Sequence, residues 1–200
     1  MDIIVQDLSK SFNKKMVLKN FSTVIGANKR TCVMGPSGSG KTTLLNILMG
    51  LTAPDSGTVQ GVPQKKSAVF QEERLCESFS AIANVRLVCS NDVSTEKIKE
   101  HLDRIGLKDS KCKPVIELSG GMRRRVSIVR AILAESEIIF MDEPFKGLDE
   151  ETKKNVIKYV LDNTANKTLL MVTHDPEEIE TMQAELIYIS MEGTDDQNRK

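Results

Sequence analysis

The chain has 200 residues, which is about one domain and is long enough to bury a substantial core. Hydrophobic residues make up 40% of it and charged residues 28%, a composition that is typical of globular proteins and excludes a disordered chain. Lysine plus arginine and aspartate plus glutamate both number 28, so the net charge of zero gives no support for nucleic-acid binding.

The N-terminus and the cysteines further limit the kinds of protein that this chain can be. Met1 is not followed by a basic segment and an apolar run, so no signal peptide is expected, and no stretch approaches the apolar length of a membrane helix. The four cysteines, Cys32, Cys76, Cys89 and Cys112, form neither a CxxC pair nor a cluster with histidine at metal-ligand spacing. We expect reduced, structural thiols in the cytosol, and any work at a membrane would need a separate partner.

Strand and helix patterns alternate along the chain. Strands are predicted at 3–8, 21–25, 31–34, 66–71, 138–141, 169–172 and 186–190, with a polar connection at 10–15 and a turn at 54–57. Helices are predicted at 43–49, 118–134, 152–163 and 176–182, with a polar helical region at 80–113. This alternation predicts an α/β fold with a mostly parallel sheet covered on both faces.

Two predictions concern the polar helical region, and one concerns the C-terminus. Ser94 or Thr95 is expected to cap a helix, with Glu96 in its first turn. His101 lies on the same charged helix and is expected to be solvated. The tail at 194–200 is low in hydrophobicity and is expected to be mobile.

A glycine-rich loop stands between the strand predicted at 31–34 and the helix predicted at 43–49. It fits the pattern G-x-x-x-x-G-K-[ST], in which glycines let successive backbone N–H groups face one anion. The helix that follows adds its positive N-terminal end. We expect Lys41 to contact the β- and γ-phosphates of a nucleotide and the Thr42 hydroxyl to bind Mg²⁺. The predicted nucleotide-binding residues of this segment are Gly35, Pro36, Ser37, Gly38, Ser39, Gly40, Lys41, Thr42 and Thr43.

Two carboxylates end the apolar strand predicted at 138–141. At the carboxyl end of a strand, side chains project into the crevice where α/β proteins bind ligands. Asp142 is therefore expected to hold Mg²⁺, directly or through water, and Glu143 to orient and activate an attacking water. Taken alone the pair is a weak signal, because an ordinary acidic turn would read the same way. The glycine-rich loop upstream makes it a strong one.

The order of the motifs resembles the ABC ATPase family along essentially the whole chain. Residues 118–122 (LSGGM) look like the family signature LSGGQ. They follow a glutamine at a strand end, Gln71, and precede the Asp142-Glu143 pair, then 147–149 (GLD) and 173–175 (THD). The run 141–149 is similar to importer ATPases of the nitrate, sulfonate and taurine type.

The resemblance implies a fold. It is a P-loop NTPase with a RecA-like core, an N-terminal antiparallel β subdomain and a helical insert subdomain. The whole chain, 1–200, would be one such domain, with the core at about 1–73 and 114–193 and the helical subdomain at about 74–113. No regulatory domain is expected.

The resemblance also implies roles for residues outside the glycine-rich loop. Ser119, Gly120 and Gly121 would bind the phosphates of ATP held by a second subunit, since they open a helix whose N–H groups and dipole favour anions. Asp149 would cross the dimer interface. Gln71 would reach Mg²⁺ and the attacking water, and His174 would contact the γ-phosphate. Phe12 would stack on adenine, where tyrosine is commoner but phenylalanine keeps an aromatic face; a core position is its alternative. The implied catalytic residues are Glu143, His174, Gln71 and Lys41, and the implied metal ligands are Thr42, Gln71 and Asp142.

Two features need separate interpretation. Met122 replaces the usual glutamine of the signature and cannot donate amide hydrogen bonds, but Ser119 and both glycines remain, so ATP is still expected to bind across the dimer. Residues 123–125 (RRR) look like a nucleic-acid patch, yet consecutive helical positions point in different directions. Solvent and interface contacts are expected for these arginines, with salt bridges to acidic residues of the helical insert.

The implied function is that of an ATP-binding and ATP-hydrolysing transporter subunit. Two copies would close around two MgATP and power solute transport through separate transmembrane permease subunits at the cytoplasmic face of the membrane, with an importer favoured. A solute-binding protein is a further possible partner, and no nucleic-acid partner is expected. The alternatives are a soluble ABC ATPase of repair or translation and a non-hydrolysing regulatory module.

Overall fold

The computed structural model describes residues 1–190, which form two compact units. One comprises Met1–Gln64 together with the described residues from Thr168 onward, and we call it the loop unit. The other comprises Lys65–Lys167, and we call it the signature unit. The tail at 194–200 lies outside the described residues, and the division into a core and a 74–113 subdomain stays a prediction.

The elements alternate as the sequence predicts, and most predicted bounds lie within two residues of those observed. The strands are β1 (Ile3–Phe12), β2 (Lys15–Ile25), β3 (Arg30–Met34), β4 (Ser56–Gln60), β5 (Lys66–Val69), β6 (Ile138–Asp142), β7 (Thr168–Val172) and β8 (Glu185–Tyr188). The helices are α1 (Lys41–Met49), α2 (Ala81–Arg86), α3 (Thr95–Arg104), α4 (Gly120–Leu133), α5 (Glu150–Asn163) and α6 (Pro176–Met182), with a 3₁₀ turn at Val115–Glu117. No helix in residues 1–190 is long and apolar enough to cross a membrane.

The loop unit contains an antiparallel sheet in the order β2-β1-β4. The predicted polar connection at 10–15 was wrong, because β1 and β2 continue through it until Phe12 pairs with Lys15. Asn13 and Lys14 have φ angles of 48° and 64°, as in a two-residue type I′ hairpin turn, so the strands need no longer connection. The turn predicted at 54–57 leads directly into β4, which the sequence did not indicate.

Parallel strands form the other sheet region of the loop unit. β3 lies between β7 and β8, with Val33 opposite both Val172 and Ile187. β7 is buried along its whole length, as expected for a parallel strand covered on both faces. Cys32, at the centre of β3, is buried, and burial raises the pKa of its thiol to about 12. α1 follows β3 after the glycine-rich loop and buries Leu44, Leu45, Ile47 and Leu48.

The signature unit pairs β5 with β6 in parallel and packs α2, α3, α4 and α5 around them. β6 is buried at all five positions. The region predicted as helical at 80–113 contains two short helices, α2 and α3, each capped by a serine. Ser80 accepts a hydrogen bond from the backbone N–H of Ala83, and Ser94, one of the two predicted caps, accepts one from that of Lys97.

The prediction that His101 is solvated was wrong. Its side chain is 7% exposed, and its Nδ1 lies 2.7 Å from the hydroxyl oxygen of Tyr159 on α5. His101 shares the buried side of α3 with Ile98 and Leu102, at helical spacings that place it against α5. The charged neighbours that suggested solvent lie on the other face of the same helix.

Candidate functional site

The glycine-rich loop has the backbone geometry that an anion site requires. Gly38 and Gly40 have φ angles of 80° and 98°, and Gly40 is the N-cap of α1. A Cβ at Gly40 would lie 2.7 Å from Leu18 Cδ2 and 2.8 Å from the carbonyl oxygen of Val17, so a larger residue cannot take this position. A Cβ at Gly38 would meet nothing within 4 Å, which shows that this side of the loop is open.

The side chain of Lys41 folds back onto the main chain of the loop. Its Nζ donates hydrogen bonds to the carbonyl oxygens of Gly35 and Pro36, at 2.8 and 2.7 Å. The first turn of α1 contains no acidic residue, so its positive end faces the loop without a compensating carboxylate. Within the described residues, the Ser39 hydroxyl is buried without a hydrogen-bond partner. An open loop, an ammonium and a free helix end fit a polyphosphate.

His174 follows β7, and the glycine-rich loop follows β3. β7 and β3 are parallel neighbours, so the residues that follow them emerge at the same edge of the sheet. The backbone N–H of Thr173 bonds to the carbonyl oxygen of Val33, at 3.3 Å. His174 follows as an exposed residue, and Asp175 then caps α6 by accepting from the backbone N–H of Glu177. The structure therefore brings His174 to the edge from which the glycine-rich loop starts.

Phe12 stands at the tip of β1 and is 47% exposed. The Nζ of Lys10 lies 5.4 Å from the centre of its ring. Asp55 holds the same strand, because it accepts bonds from Lys10 Nζ and from the backbone N–H of Ser11, both at 2.7 Å. This exposed aromatic face excludes the alternative that Phe12 is a core residue and leaves it available for stacking on a base.

In the signature unit, the strand-end residues gather at one edge. β5 and β6 are parallel, with Val69 opposite Met141, so Gln71 and the Asp142-Glu143 pair follow neighbouring strands at the same end. Asp142 is 6% exposed. Glu143 has a φ angle of 46°, and its Oε2 lies 2.6 Å from Lys146 Nζ. The structure thus brings together three residues predicted for the metal and the attacking water.

The signature segment also folds as predicted. Ser119 is the N-cap of α4, and its hydroxyl oxygen accepts a hydrogen bond from the backbone N–H of Met122 at 3.3 Å. Ser119 and Gly120 are exposed, and a Cβ at Gly120 would meet nothing within 4 Å. As at α1, the first turn of α4 contains no acidic residue. The exposed end of this helix suits an incoming phosphate.

Asp149 has a local structural role whatever it does at an interface. It caps α5 by accepting a hydrogen bond from the backbone N–H of Thr152 at 2.9 Å, and this bond lowers the pKa of its carboxyl. Glu150 and Glu151 follow in the first turn of α5. Their charges suit the helix N-terminus electrostatically but make this end, unlike those of α1 and α4, unsuitable for phosphate.

The structure corrects the expectation for the arginines after the signature. Arg124 is 5% exposed, and its two terminal nitrogens donate to the carbonyl oxygens of Phe70 and Gln71, both at 2.5 Å. Arg125 donates to the carbonyl oxygen of Ile105 at 2.8 Å. Arg124 also has an acidic partner, at 3.7 Å, and that is Glu73, outside the predicted insert.

The buried position of Arg124 had a signal in the sequence. Ser127, Ile128 and Ala131 lie three, four and seven residues further on, and all are buried on α4. Lys146, the ion-pair partner of Glu143, was also missed, because no pattern distinguishes it from other loop lysines.

The chain is similar to known proteins. A family model described as "ABC transporter" matches residues 18–146. The aliphatic sulfonates import ATP-binding protein SsuB 3 of Rhodococcus jostii is 36% identical over 179 residues, covering 88% of this chain and 66% of that protein. The sulfate/thiosulfate import ATP-binding protein CysA of Mesostigma viride is 31% identical over 205 residues, covering 94% and 59%. The chain therefore spans less than two thirds of the length of both relatives.

Two solved structures share the fold. The dimeric structure of MJ0796, a bacterial ABC transporter cassette, aligns with a TM-score of 0.84 at 27% identity and covers 96% of both chains. A dimeric post-hydrolysis state of the same ATP-binding cassette, bound to ADP and Pi, aligns with a TM-score of 0.82 at 27% identity, covering 95% of this chain and 96% of that one. The predicted P-loop NTPase fold of the ABC type is confirmed, and the chain belongs to the ABC transporter family.

Proposed function

We propose that this chain is the ATP-binding and ATP-hydrolysing subunit of an ABC transporter of the importer type. The observation that carries the proposal is the geometry of the glycine-rich loop. Left-handed glycines, the Nζ of Lys41 and an uncompensated helix end converge on one open site, in a chain of the ABC transporter family.

The loop unit would bind the nucleotide. Backbone N–H groups of the loop and the N-terminus of α1 hold the phosphates, and Lys41 exchanges its two carbonyl partners for phosphate oxygens. The ring of Phe12 stacks on the base. The imidazole of His174 contacts the terminal phosphate, at the sheet edge that it shares with the loop.

The signature unit would supply the groups for hydrolysis. Glu143 accepts a proton from the attacking water, and Gln71 and Asp142 orient the water and hold Mg²⁺, to which Thr42 adds its hydroxyl. When bound, Mg²⁺ neutralises charge that develops on the phosphate oxygens. The exposed N-terminus of α4, with Ser119, Gly120 and Gly121, receives the phosphates of a nucleotide held by a second subunit.

The proposed partners follow from the relatives. The MJ0796 cassette is dimeric, and SsuB 3 and CysA are named as import ATP-binding proteins. We infer a dimer of this chain that acts on separate permease subunits at the cytoplasmic face of a membrane. A solute-binding protein of the same system would complete an importer.

The test combines hydrolysis and mass. The unmodified chain should hydrolyse ATP, and Glu143→Gln should slow hydrolysis by a factor on the order of 10² to 10⁴, the usual contribution of a general base. Light scattering of Glu143→Gln should show a monomer without nucleotide and a dimer with MgATP. Glu96→Gln, at an exposed position on α3, is the matched control and should behave as the unmodified chain.

Other outcomes discriminate among the alternatives. Nucleotide binding without hydrolysis by the unmodified chain would favour a regulatory module and contradict the proposal. Copurification with ribosomes or DNA in place of membrane proteins would favour a soluble ABC ATPase.

A further inference from the structure

Residues 70–74 follow β5 and are held by two arginines of α4. Arg124 donates to the carbonyl oxygens of Phe70 and Gln71, both at 2.5 Å. Arg130 donates to those of Glu73 and Arg74, at 2.8 and 2.7 Å. Four main-chain carbonyls within five residues are thus bound by guanidinium groups from one helix. We call residues 70–74 the glutamine segment.

Arg124 is the deeper of the two anchors. Its side chain is almost fully buried, and its nearest carboxylate, Glu73 Oε1, is 3.7 Å away. The two short carbonyl bonds therefore provide most of the compensation for the buried charge, and losing them would be costly. A planar guanidinium reaches two adjacent carbonyls at once, which fixes both the position and the rotation of the peptide between Phe70 and Gln71.

Both bonds of Arg124 go to main-chain atoms. They orient the peptide that carries Gln71 and leave the amide side chain of Gln71 free of these two bonds. A second contact stiffens the segment, because the guanidinium of Arg74 lies 3.8 Å from the ring centre of Phe70. The backbone around Gln71 is therefore determined by groups other than Gln71 itself.

We propose that Arg124 is a positioning residue for Gln71 and ties the glutamine segment to the signature helix. Ser119 caps the same helix, α4, so the phosphate-facing end of α4 and the Gln71 backbone move as one piece. Binding of a phosphate at the Ser119 end of α4 thereby affects the position of Gln71, the residue that orients the water and the metal. This inference rests on the proposed function for the role of Gln71, but the anchor itself does not.

Hydrogen exchange measured by mass spectrometry tests the anchor without hydrolysis. Arg124→Lys keeps the charge but replaces the planar two-nitrogen fork by a single nitrogen on a different stem, so the two carbonyl bonds are weakened and exchange in peptides covering residues 70–76 should rise about tenfold. Arg125→Lys is the matched control, because Arg125 binds the carbonyls of Ile105 and Gly106 instead. It should raise exchange near 105–106 and leave exchange at 70–76 unchanged. Unchanged exchange at 70–76 in Arg124→Lys would overturn the proposal.

A double-mutant cycle tests the positioning role. Arg124→Lys should lower kcat about 10- to 100-fold, the usual cost of removing a group that orients a metal ligand, and raise the Mg²⁺ concentration for half-maximal rate. The KM for ATP should change less than about twofold, because the substitution does not alter groups that bind ATP equally well in the ground state and the transition state. In a Gln71→Ala background, Arg124→Lys should have almost no further effect on either quantity.

The anchor formed by Arg124 and its positioning role for Gln71 can be contradicted separately. If the effects of Arg124→Lys and Gln71→Ala on kcat multiply, Arg124 does not act through Gln71 and its positioning role is wrong. If the unmodified chain does not hydrolyse ATP, the proposed function and the positioning role both fail, while the exchange measurement still decides whether the anchor exists.

Discussion

Glu143 is the residue at which backbone and side chain are both constrained. It adopts a left-handed conformation with φ of 46°, which costs a non-glycine residue about 1 to 2 kcal/mol and is commonly found at functional sites. Its carboxylate is paired with Lys146 at 2.6 Å. The carboxylate that we propose takes a proton from water therefore has an ammonium group beside it.

Removing this ammonium should increase turnover. Lys146→Ala removes the ammonium group that lies beside Oε2 of Glu143, and because the pair is partly exposed we expect kcat to rise by no more than about fivefold, the rate equivalent of ~1 kcal/mol. Steady-state hydrolysis at saturating MgATP measures this. Lys154→Ala, at an exposed position on α5, is the control. A tenfold fall in kcat for Lys146→Ala would show instead that the ammonium takes part in catalysis.

At the scale of elements, two helices of the signature unit begin with the same cap and differ in their surroundings. Ser94 caps α3 and Ser119 caps α4, each accepting from the backbone N–H three residues on. Only α4 has two glycines after its cap and no acidic residue in its first turn. Comparing serine substitutions at the two helices can therefore distinguish the effect of losing a helix cap from the effect of losing a phosphate site.

Replacing each serine by alanine should have one shared effect and one distinct effect. Both variants should lose about 0.5 to 2 kcal/mol of unfolding free energy, measured in urea. Only Ser119→Ala, combined with Glu143→Gln, should also weaken MgATP-dependent dimerisation in light scattering. Equal dimerisation by the Ser94→Ala and Ser119→Ala combinations would contradict the role of the α4 N-terminus.

The contact between α3 and α5 should make stability depend on pH. Burial, and then the nearby charge of Arg104, lower the pKa of His101, while Glu100 opposes the shift and Lys97 adds to it. The folded chain thus keeps His101 neutral at pH values where the unfolded chain already protonates it. Stability from this group is fully present above about pH 6.5, the unfolded value, and is lost as the pH falls toward the lower folded pKa.

Urea unfolding at pH 7 and pH 5.5 checks this dependence. His101→Gln should remove part of the loss of unfolding free energy between the two pH values. His174→Gln replaces the exposed histidine, the other of the two in the chain, and should retain the full loss. If both variants retain it, His101 is protonated in the folded protein as readily as in the unfolded one.

Local chemistry explains which elements the sequence could predict. The loop at 35–42, the cap at Ser119 and the apolar runs of β6 and β7 depend on neighbouring residues, so their patterns were sufficient. β4 depends on pairing with a distant segment, as with Gln6 opposite Thr58, and carries no strong period. The outer halves of β1 and β2 pair across Asn13 and Lys14, a turn that lacks the glycine by which such hairpins are usually recognised. Arg124 was misread because the charge of a residue was weighed above its place on the buried face of α4.

At the scale of the whole molecule, nucleotide binding should raise stability. A ligand that binds only the folded chain at 100 times its Kd adds about 2.7 kcal/mol, so MgATP should raise the thermal midpoint by several degrees. Lys41→Ala should abolish the shift. Lys29→Ala removes an exposed lysine that pairs with Glu185 and should retain it. A shift that survives Lys41→Ala would place the stabilising nucleotide outside the glycine-rich loop.

The position of Cys32 gives the loop unit an internal chemical reporter. Cys32 is buried in the middle of β3, the strand that lies between β7 and β8 and leads into the glycine-rich loop, and its raised pKa keeps the thiol protonated at neutral pH. Cys76 and Cys112 are exposed and would react first with an alkylating reagent. Slow alkylation of Cys32 after that would measure how often the parallel strands separate. If added nucleotide lowers the alkylation rate, nucleotide binding can be followed through the rate of strand opening.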